Sequence, residues 1–284
     1  MISEKAMLSA VHISIWTATK HDKKVSQEVA SKHNAPENSG RYNKQLLNHA
    51  QKLEAIRKLA GEIRQYHYQL TLPWTDEGYR ILPSELYFDH AEKMRHFQSD
   101  FNEAAADFIC EYPLYVDAAR LQLNGLFREE DYPTSENVRK RFQLRVEILP
   151  IPSGDDFRVS ISNDEQDRIR RQIDESVRES FSRAHGDLWI RLRSVVERMV
   201  ERLRNPQGVF RDSLVGNVVE LVEMLPKLNI AQDGNFDSFV QEVKQRLCEH
   251  SPDELRRDQN ARESTAQAAA DIMARMSAYM GAAQ

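Results

Sequence analysis

The sequence lacks the glycine and cysteine motifs of the most common catalytic and metal-binding sites. Its ten glycines form neither the G-x-G-x-x-G dinucleotide fingerprint nor a P-loop, and there is no G-x-S-x-G elbow. C-x-x-C and H-E-x-x-H are also absent, which excludes the usual zinc patterns. No histidine follows an acid by three residues, as a di-iron helical bundle requires. We therefore expect a protein that is not an enzyme and that uses no cofactor or metal.

Cysteine is scarce, and long apolar runs are missing. Only Cys110 and Cys248 occur, and we expect both to be free, buried thiols in a reducing compartment. No stretch reaches the ~20 apolar residues that a membrane-spanning helix needs. Ser9, His12 and Ser14 interrupt the apolar run near the N-terminus, which argues against a secretory signal. These features predict a soluble, cytoplasmic protein that does not enter a membrane.

Positive charge is not in excess. The chain has 39 Lys and Arg residues against 44 Asp and Glu residues, a formal net charge of -5. No overall positive field therefore attracts nucleic acid, although a local basic face stays open. The charged fraction of 29% is above the usual quarter, as expected for long helices with wide solvent-facing surfaces.

What the sequence does contain is helical periodicity. Apolar residues recur at three- and four-residue steps over 43–68, 83–127 and 163–204, and we expect the first two segments to cover the third. Shorter helices are predicted near 210–225, 235–249 and 252–280. The polar segment 20–41 predicts a mobile loop, and Pro113 predicts a break or kink.

Alternation of apolar and polar residues predicts strands near 11–17, 143–149 and 157–162. The second and third would form a hairpin, and the first would add a third strand. The predicted class is mainly α with a small β element (α+β). We expect an elongated antiparallel helical bundle with a small antiparallel sheet over residues 1–205, and a C-terminal helical region over 206–284.

The predicted long helix is rich in arginine, which makes it the first candidate for a functional surface. One interpretation is a stripe that follows nucleic-acid phosphates, and another is a face that binds a protein partner. A third is an ordinary mixed-charge surface, because acids such as Glu165, Glu175 and Glu197 are interleaved with the arginines. The candidate residues are Arg168, Arg170, Arg171, Arg178, Arg191, Arg198 and Arg202.

Two further clusters have both a functional and a structural interpretation. Met273, Met276 and Met280 form either an adaptable apolar patch for a partner or simple core packing. Glu85, Asp89, Glu92 and His96 share one predicted helix face. That face is either an acidic metal or acid–base site or, as we favour, a solvated face with helical charge pairs.

His12-Ile13-Ser14-Ile15-Trp16-Thr17, the Phe157-Arg158-Val159 segment and the arginine-rich helix together resemble a family of unknown function from bacteriophages and integrative elements. The resemblance spans roughly residues 8 to 205. Genes of that family lie beside a MoxR-type AAA+ ATPase and a von Willebrand factor A-domain protein. The resemblance implies an adaptor that binds these two proteins, and it implies no catalytic residues. Nucleic-acid binding through the arginine face is the alternative, and a homo-oligomer stays open.

Overall fold

The computed structural model of the chain describes residues 4–75, 78–205 and 208–282, with side chains described as far as Tyr279. Helices make up 67% of the chain, and a small antiparallel sheet supplies the β element. The predicted class, mainly α with a small β element, is therefore confirmed.

The described residues form nine α-helices and six β-strands, numbered in chain order. The helices are α1 Lys23–Lys32, α2 Gln51–Gln69, α3 Tyr87–Leu123, α4 Ser135–Arg139, α5 Asn163–Leu203, α6 Ser213–Leu228, α7 Gly234–Leu247, α8 Pro252–Arg257 and α9 Gln259–Ala282. The strands are β1 Ala6–Ser14, β2 Thr19–His21, β3 Asn43–Gln45, β4 Leu72–Pro73, β5 Arg80–Pro83 and β6 Gln143–Leu149.

The strands form two sheets. Four of them pair in the order β4-β5-β1-β6, and β1 runs antiparallel to β5 with Ala6 opposite Pro83. β2 and β3 form a separate antiparallel pair in which Lys20 lies opposite Lys44. The strand predicted at 143–149 is confirmed as β6. The strand predicted at 11–17 begins and ends earlier, as β1, and it joins β6 in one sheet, as expected for a third strand.

The strand predicted at 157–162 is wrong, and so is the hairpin built on it. These residues form no strand. The side-chain amide of Gln166 donates to the carbonyl oxygens of Val159, at 3.1 Å, and Ile161, at 3.3 Å. The carbonyl oxygens that a neighbouring strand would have bonded therefore accept hydrogen bonds from a side chain of α5.

Two helical predictions need correction, and the break that Pro113 could have caused does not occur. The predicted loop at 20–41 contains α1, because the Asp22 side chain accepts a hydrogen bond from the Val25 N–H and caps the helix. Asn43–Gln45 form β3, so the next helix starts only at Gln51. Pro113 lies inside α3, where the buried side chains of Ile109 and Tyr112 hold the preceding turn in the core.

The Cα positions divide the chain into two compact units. Unit 1 comprises the described parts of residues 1–10, 68–90 and 147–284, and unit 2 comprises residues 11–67 and 91–146. Each unit is therefore assembled from separate segments of the chain. The division into domains at residue 205 stays a prediction.

The core of unit 2 is an aromatic cluster between α2 and α3. The Trp16 ring meets the Tyr112 ring edge-on at a centroid distance of 5.5 Å, and Phe108 meets Phe142 in the same way at 5.5 Å. Leu53, Ile56 and Ile63 of α2 line this cluster with almost no exposed surface. The 3.6-residue period of α2 places these side chains on one face, which explains their burial.

In unit 1, the second half of α5 packs against α6, α7 and α9. The cover of the second half of this helix within unit 1 thus comes from the C-terminal helices, and cover by residues 43–68 and 83–127 stays a prediction. Trp189 is the central anchor, since its ring lies 5.1 Å from both Phe236 and Tyr279. The extra burial of three aromatic rings at one point favours this pairing of helices.

The two cysteines are free, as expected, but they are not buried. Cys110 is exposed on α3, and Cys248 is half-buried just after α7. Partial burial raises the pKa of the Cys248 thiol, which reduces its thiolate fraction at neutral pH.

Candidate functional site

The first arginines of α5 are neutralised by acids on the preceding turn. Arg168 Nε lies 3.0 Å from a carboxylate oxygen of Glu165, and Arg178 lies 2.9 Å from Glu175. The Arg168 side chain also lowers the pKa of Glu165 by hydrogen bonding to its carboxylate. Such exposed pairs add little stability, but they cancel the local positive charge that a phosphate-binding stripe needs.

Arg170 and Arg171 make weaker contacts along the same turn. Arg170 lies 3.8 Å from Asp167 and also donates to the Phe157 carbonyl at 3.4 Å, while Arg171 donates to the backbone carbonyl of Asp167. Arg170 therefore holds the preceding segment, and Arg171 remains exposed with its charge directed outward.

Arg191 has a structural role within unit 1. It pairs with Asp187 at 2.7 Å and donates to the carbonyls of Gln69, at 3.3 Å, and Thr71, at 2.7 Å. Arg80 donates to the same Thr71 carbonyl at 3.1 Å. Burial and the nearby Arg191 charge both lower the pKa of Arg80. The two arginines fix the start of β4 against α5.

Arg198 and Arg202 differ from the other candidates. Both side chains are exposed, and neither forms an ion pair with any residue in the described ranges. They lie four residues apart and so share one face of α5. The seven predicted arginines thus do not form a single functional face, because pairing and burial divide them into groups with different roles.

The most unusual surface of α5 is its first half. All the buried side chains of this helix belong to Ser180 and the residues that follow it. Ile169, Ile173 and Val177, one helical turn apart, are only half-buried. An apolar stripe that continues beyond its helical cover is a surface that can take up a partner.

A connecting segment, which we call the strap (residues 150–162), runs antiparallel along this first half. The Gly154 N–H donates to the Asp174 carboxylate at 3.0 Å, and Gln166 binds the carbonyls nearer the end of the strap. A Cβ at Gly154 would lie 2.9 Å from the Arg170 carbonyl oxygen, so the close approach requires glycine. Buried Ile151 anchors the beginning of the strap.

The strap exposes apolar side chains that the core does not use. Val159 is 54% exposed and Ile161 is 40% exposed. Ile148 and Leu149, at the end of β6, are exposed to a similar degree. Covering the exposed half of one such side chain contributes about 1 kcal/mol, roughly half of the value for full burial. The strap and the first half of α5 therefore form the candidate partner-binding surface.

The C-terminal methionines divide between core and surface. Met276 is fully buried and belongs to the core of unit 1, whereas Met273 is half-buried. Met280 lies outside the residues whose side chains are described. The core interpretation of this cluster thus holds for Met276.

The acidic cluster predicted on α3 does not assemble a site. Glu85, Asp89, Glu92 and His96 are all exposed. Across the described ranges, no group of three His, Cys, Asp or Glu residues is arranged to hold a metal ion. No described helix is long and apolar enough to cross a membrane.

A buried ion-pair network in unit 2 was not predicted from the sequence. Lys44 of β3 is 1% exposed, and its Nζ lies 2.6 Å from a carboxylate oxygen of Asp131 and 2.6 Å from the Leu126 carbonyl oxygen. Asp22 lies 3.6 Å from the same ammonium. A buried charge is tolerated only when it is paired in this way. No local sequence signal brings together residues this distant in the chain.

Asp22 links the network to α1. Its side chain caps the helix, and the hydrogen bond from the Val25 N–H is the main cause of its lowered pKa, with further help from Arg128 and Lys44. Ser26 strengthens this corner, because its hydroxyl donates to the Asp22 carbonyl at 2.7 Å and accepts from the Tyr42 N–H at 3.0 Å. Asp22 is therefore ionised and fixed at neutral pH.

No protein-family model, curated protein or solved structure matches this chain. The functional proposal therefore rests on the fold, the strap surface and the Lys44 network, and not on a related protein.

Proposed function

We propose that this protein is a non-enzymatic adaptor that binds protein partners through the strap and the first half of α5. The observation that supports the proposal is the exposure of Val159 and Ile161 beside the half-buried stripe Ile169, Ile173 and Val177. Apolar anchors surrounded by polar groups are the usual composition of a protein interface.

The charges around these anchors favour a protein partner over a polyanion. Arg168 and Arg178 are each compensated by an acid on their own helix, so the surface has both signs of charge close together. Such a surface can form charge-assisted hydrogen bonds to a partner that also has both signs. A nucleic-acid backbone, which has only negative charge, would meet the interleaved acids.

The family resemblance suggests which partner to test first. In the family that this chain resembles, the neighbouring genes encode a MoxR-type AAA+ ATPase and a von Willebrand factor A-domain protein. An adaptor without a nucleotide site would present a client or the second protein to such an ATPase. The partner would cover the strap, since this segment holds the exposed apolar side chains.

Co-purification with the neighbouring ATPase and the von Willebrand A protein tests the proposal. We expect the wild-type chain to retain at least one of them and the double variant V159K/I161K to lose it. Val209, which is 89% exposed in the same unit, provides the control, because V209K places a lysine at an exposed apolar position elsewhere. No retention by the wild type, or equal loss in V209K, would contradict the adaptor.

A second candidate function rests on Arg198 and Arg202, which are exposed and form no ion pair within the described ranges. These residues would bind nucleic-acid phosphates on one face of α5. Affinity for a DNA or RNA duplex should then fall steeply as the salt concentration rises. R198Q/R202Q should reduce this salt dependence by the amount that corresponds to about two phosphate contacts. Binding that does not depend on salt would exclude this function.

A further inference from the structure

Unit 2 contains an open cavity of about 440 Å³ beside the buried network. It lies where β2 leads into α1 and where residues 128–131 face them. Its volume falls in the range of small-molecule sites, roughly 300–1,000 Å³. Its lining differs from most such sites, because basic side chains predominate: Lys20, Lys23, Lys24 and Arg128.

The acids that line the same cavity are mostly engaged from the protein side. Asp22 and Asp131 are 3% and 8% exposed, and Lys44 approaches both from within the core. Lys44 supplies one positive charge for these two carboxylates, and Lys20, which lies 3.6 Å from Asp131, supplies a second. Glu130 is the remaining acid of the lining. Three cations, Lys23, Lys24 and Arg128, thus face across the cavity one acid, Glu130, that has no compensating charge among the described residues.

Two of the cations have no competing partner. Lys23 and Lys24 are exposed, and neither forms an ion pair with a residue in the described part of the chain. Arg128 makes only a long contact of 3.9 Å with Asp22. These side chains break few existing contacts when they bind an anion, so the free-energy cost of binding is small. An arginine beside lysines suits a phosphoryl group, since the guanidinium can bind two oxygens at once.

The base of the cavity is rigid, which favours a defined site. The Lys44 network fixes β3 to residues 126 and 131, and the capping hydrogen bond of Asp22 fixes the start of α1. Groups held in place before binding lose less freedom when the ligand arrives.

We infer that this cavity binds a small anion bearing phosphoryl groups, such as a diphosphate or a phosphorylated metabolite. The inference is independent of the adaptor function, because the cavity lies in unit 2 and the strap lies in unit 1. The size of the cavity and its spread of cations favour a ligand with more than one anionic group.

Isothermal titration of the full chain with inorganic pyrophosphate tests this site. We expect saturable binding with one site per chain, and a loss of affinity of about tenfold or more in the double variant K23Q/K24Q. R128Q should weaken binding in the same direction. K58Q is the matched control, since Lys58 is 81% exposed on α2 and does not line the cavity.

Three results would overturn the inference. One is no saturable binding of pyrophosphate to the wild type, and another is equal loss in K58Q and K23Q/K24Q. The third is binding of a single-stranded oligonucleotide without binding of pyrophosphate, which would make the cavity part of a nucleic-acid surface. Circular dichroism spectra should match the wild type in K23Q/K24Q and K58Q, because the substituted lysines are exposed.

Discussion

Arg262 should be one of the most important residues for the stability of unit 1. It is 5% exposed, and it donates to four backbone carbonyls at and just after the end of α5: Arg202, at 3.1 Å, Leu203, at 3.2 Å, Asn205, at 2.5 Å, and Gly208, at 2.8 Å. A helix leaves its last carbonyls without partners inside the helix, and a cation there is favoured by the helix dipole. One side chain of α9 thus closes the end of α5.

The cost of R262M follows from these contacts. Hydrogen bonds to a charged group contribute about 1.5–3 kcal/mol each, and four of them on one side chain are not additive. We therefore expect a loss of about 3–5 kcal/mol in the free energy of unfolding. R262K should lose less stability than R262M, because the ammonium keeps the positive charge. It should still lose some, because it has only three donors and no planar fork.

Urea unfolding followed by circular dichroism measures this loss. Arg257 provides the matched control, since it is exposed and R257M removes the same atoms from a nearby helix. R257M should change the free energy of unfolding by less than about 0.5 kcal/mol. If R262M cost no more than R257M, the four carbonyls would be hydrated equally well without the arginine, and the argument would be refuted.

Three further predictions concern the buried network, a buried histidine and the strap. K44M should cost about 3–5 kcal/mol in urea unfolding, because Asp22 and Asp131 lose their common cation, and adding D131N should restore part of that loss. Burial lowers the pKa of His90 from 6.5 to about 4. Between these two pH values the unfolded state binds a proton that the folded state does not bind, so the free energy of unfolding falls as the pH drops from about 6.5 to about 4. H90Q should flatten this part of the profile by up to about 3 kcal/mol, and an unchanged profile would assign the acid sensitivity to other groups. G154A should speed proteolytic cleavage of the strap, because the new Cβ meets the Arg170 carbonyl oxygen at 2.9 Å; cleavage at the wild-type rate would show that the strap adjusts without detaching.

The parts of the fold that could be predicted from the sequence depend on local patterns. α5 was predicted almost to the residue, because its apolar period is unbroken and acids follow its first residue, at the positive end of the dipole. β6 was predicted because Leu144, Val146 and Ile148 alternate with polar neighbours. In both cases the information lies within the element itself.

The parts that were missed depend on contacts between distant segments. α1 is too polar to show a clear apolar period, and it is held by the Asp22 cap and the Ser26 hydrogen bonds. The segment at 157–162 alternates like a strand, but Gln166 and Arg170 of α5 take its carbonyls. The burial of Lys44 depends on Asp131, 87 positions further along the chain. A single sequence contains no local signal for such pairings.

The arginines of α5 show why composition alone did not locate the candidate site. Their number suggested a binding stripe, but the structure assigns Arg191 to the fixing of β4 and pairs Arg168 and Arg178 with their own acids. Exposed apolar side chains, and not the arginines, therefore define the candidate site. Evenly mixed charge keeps that surface hydrated and unattractive to polyanions, while Val159 and Ile161 supply the apolar contact that a partner can bury. We therefore propose that a protein partner is selected by mixed charge on α5 together with exposed apolar side chains on the strap.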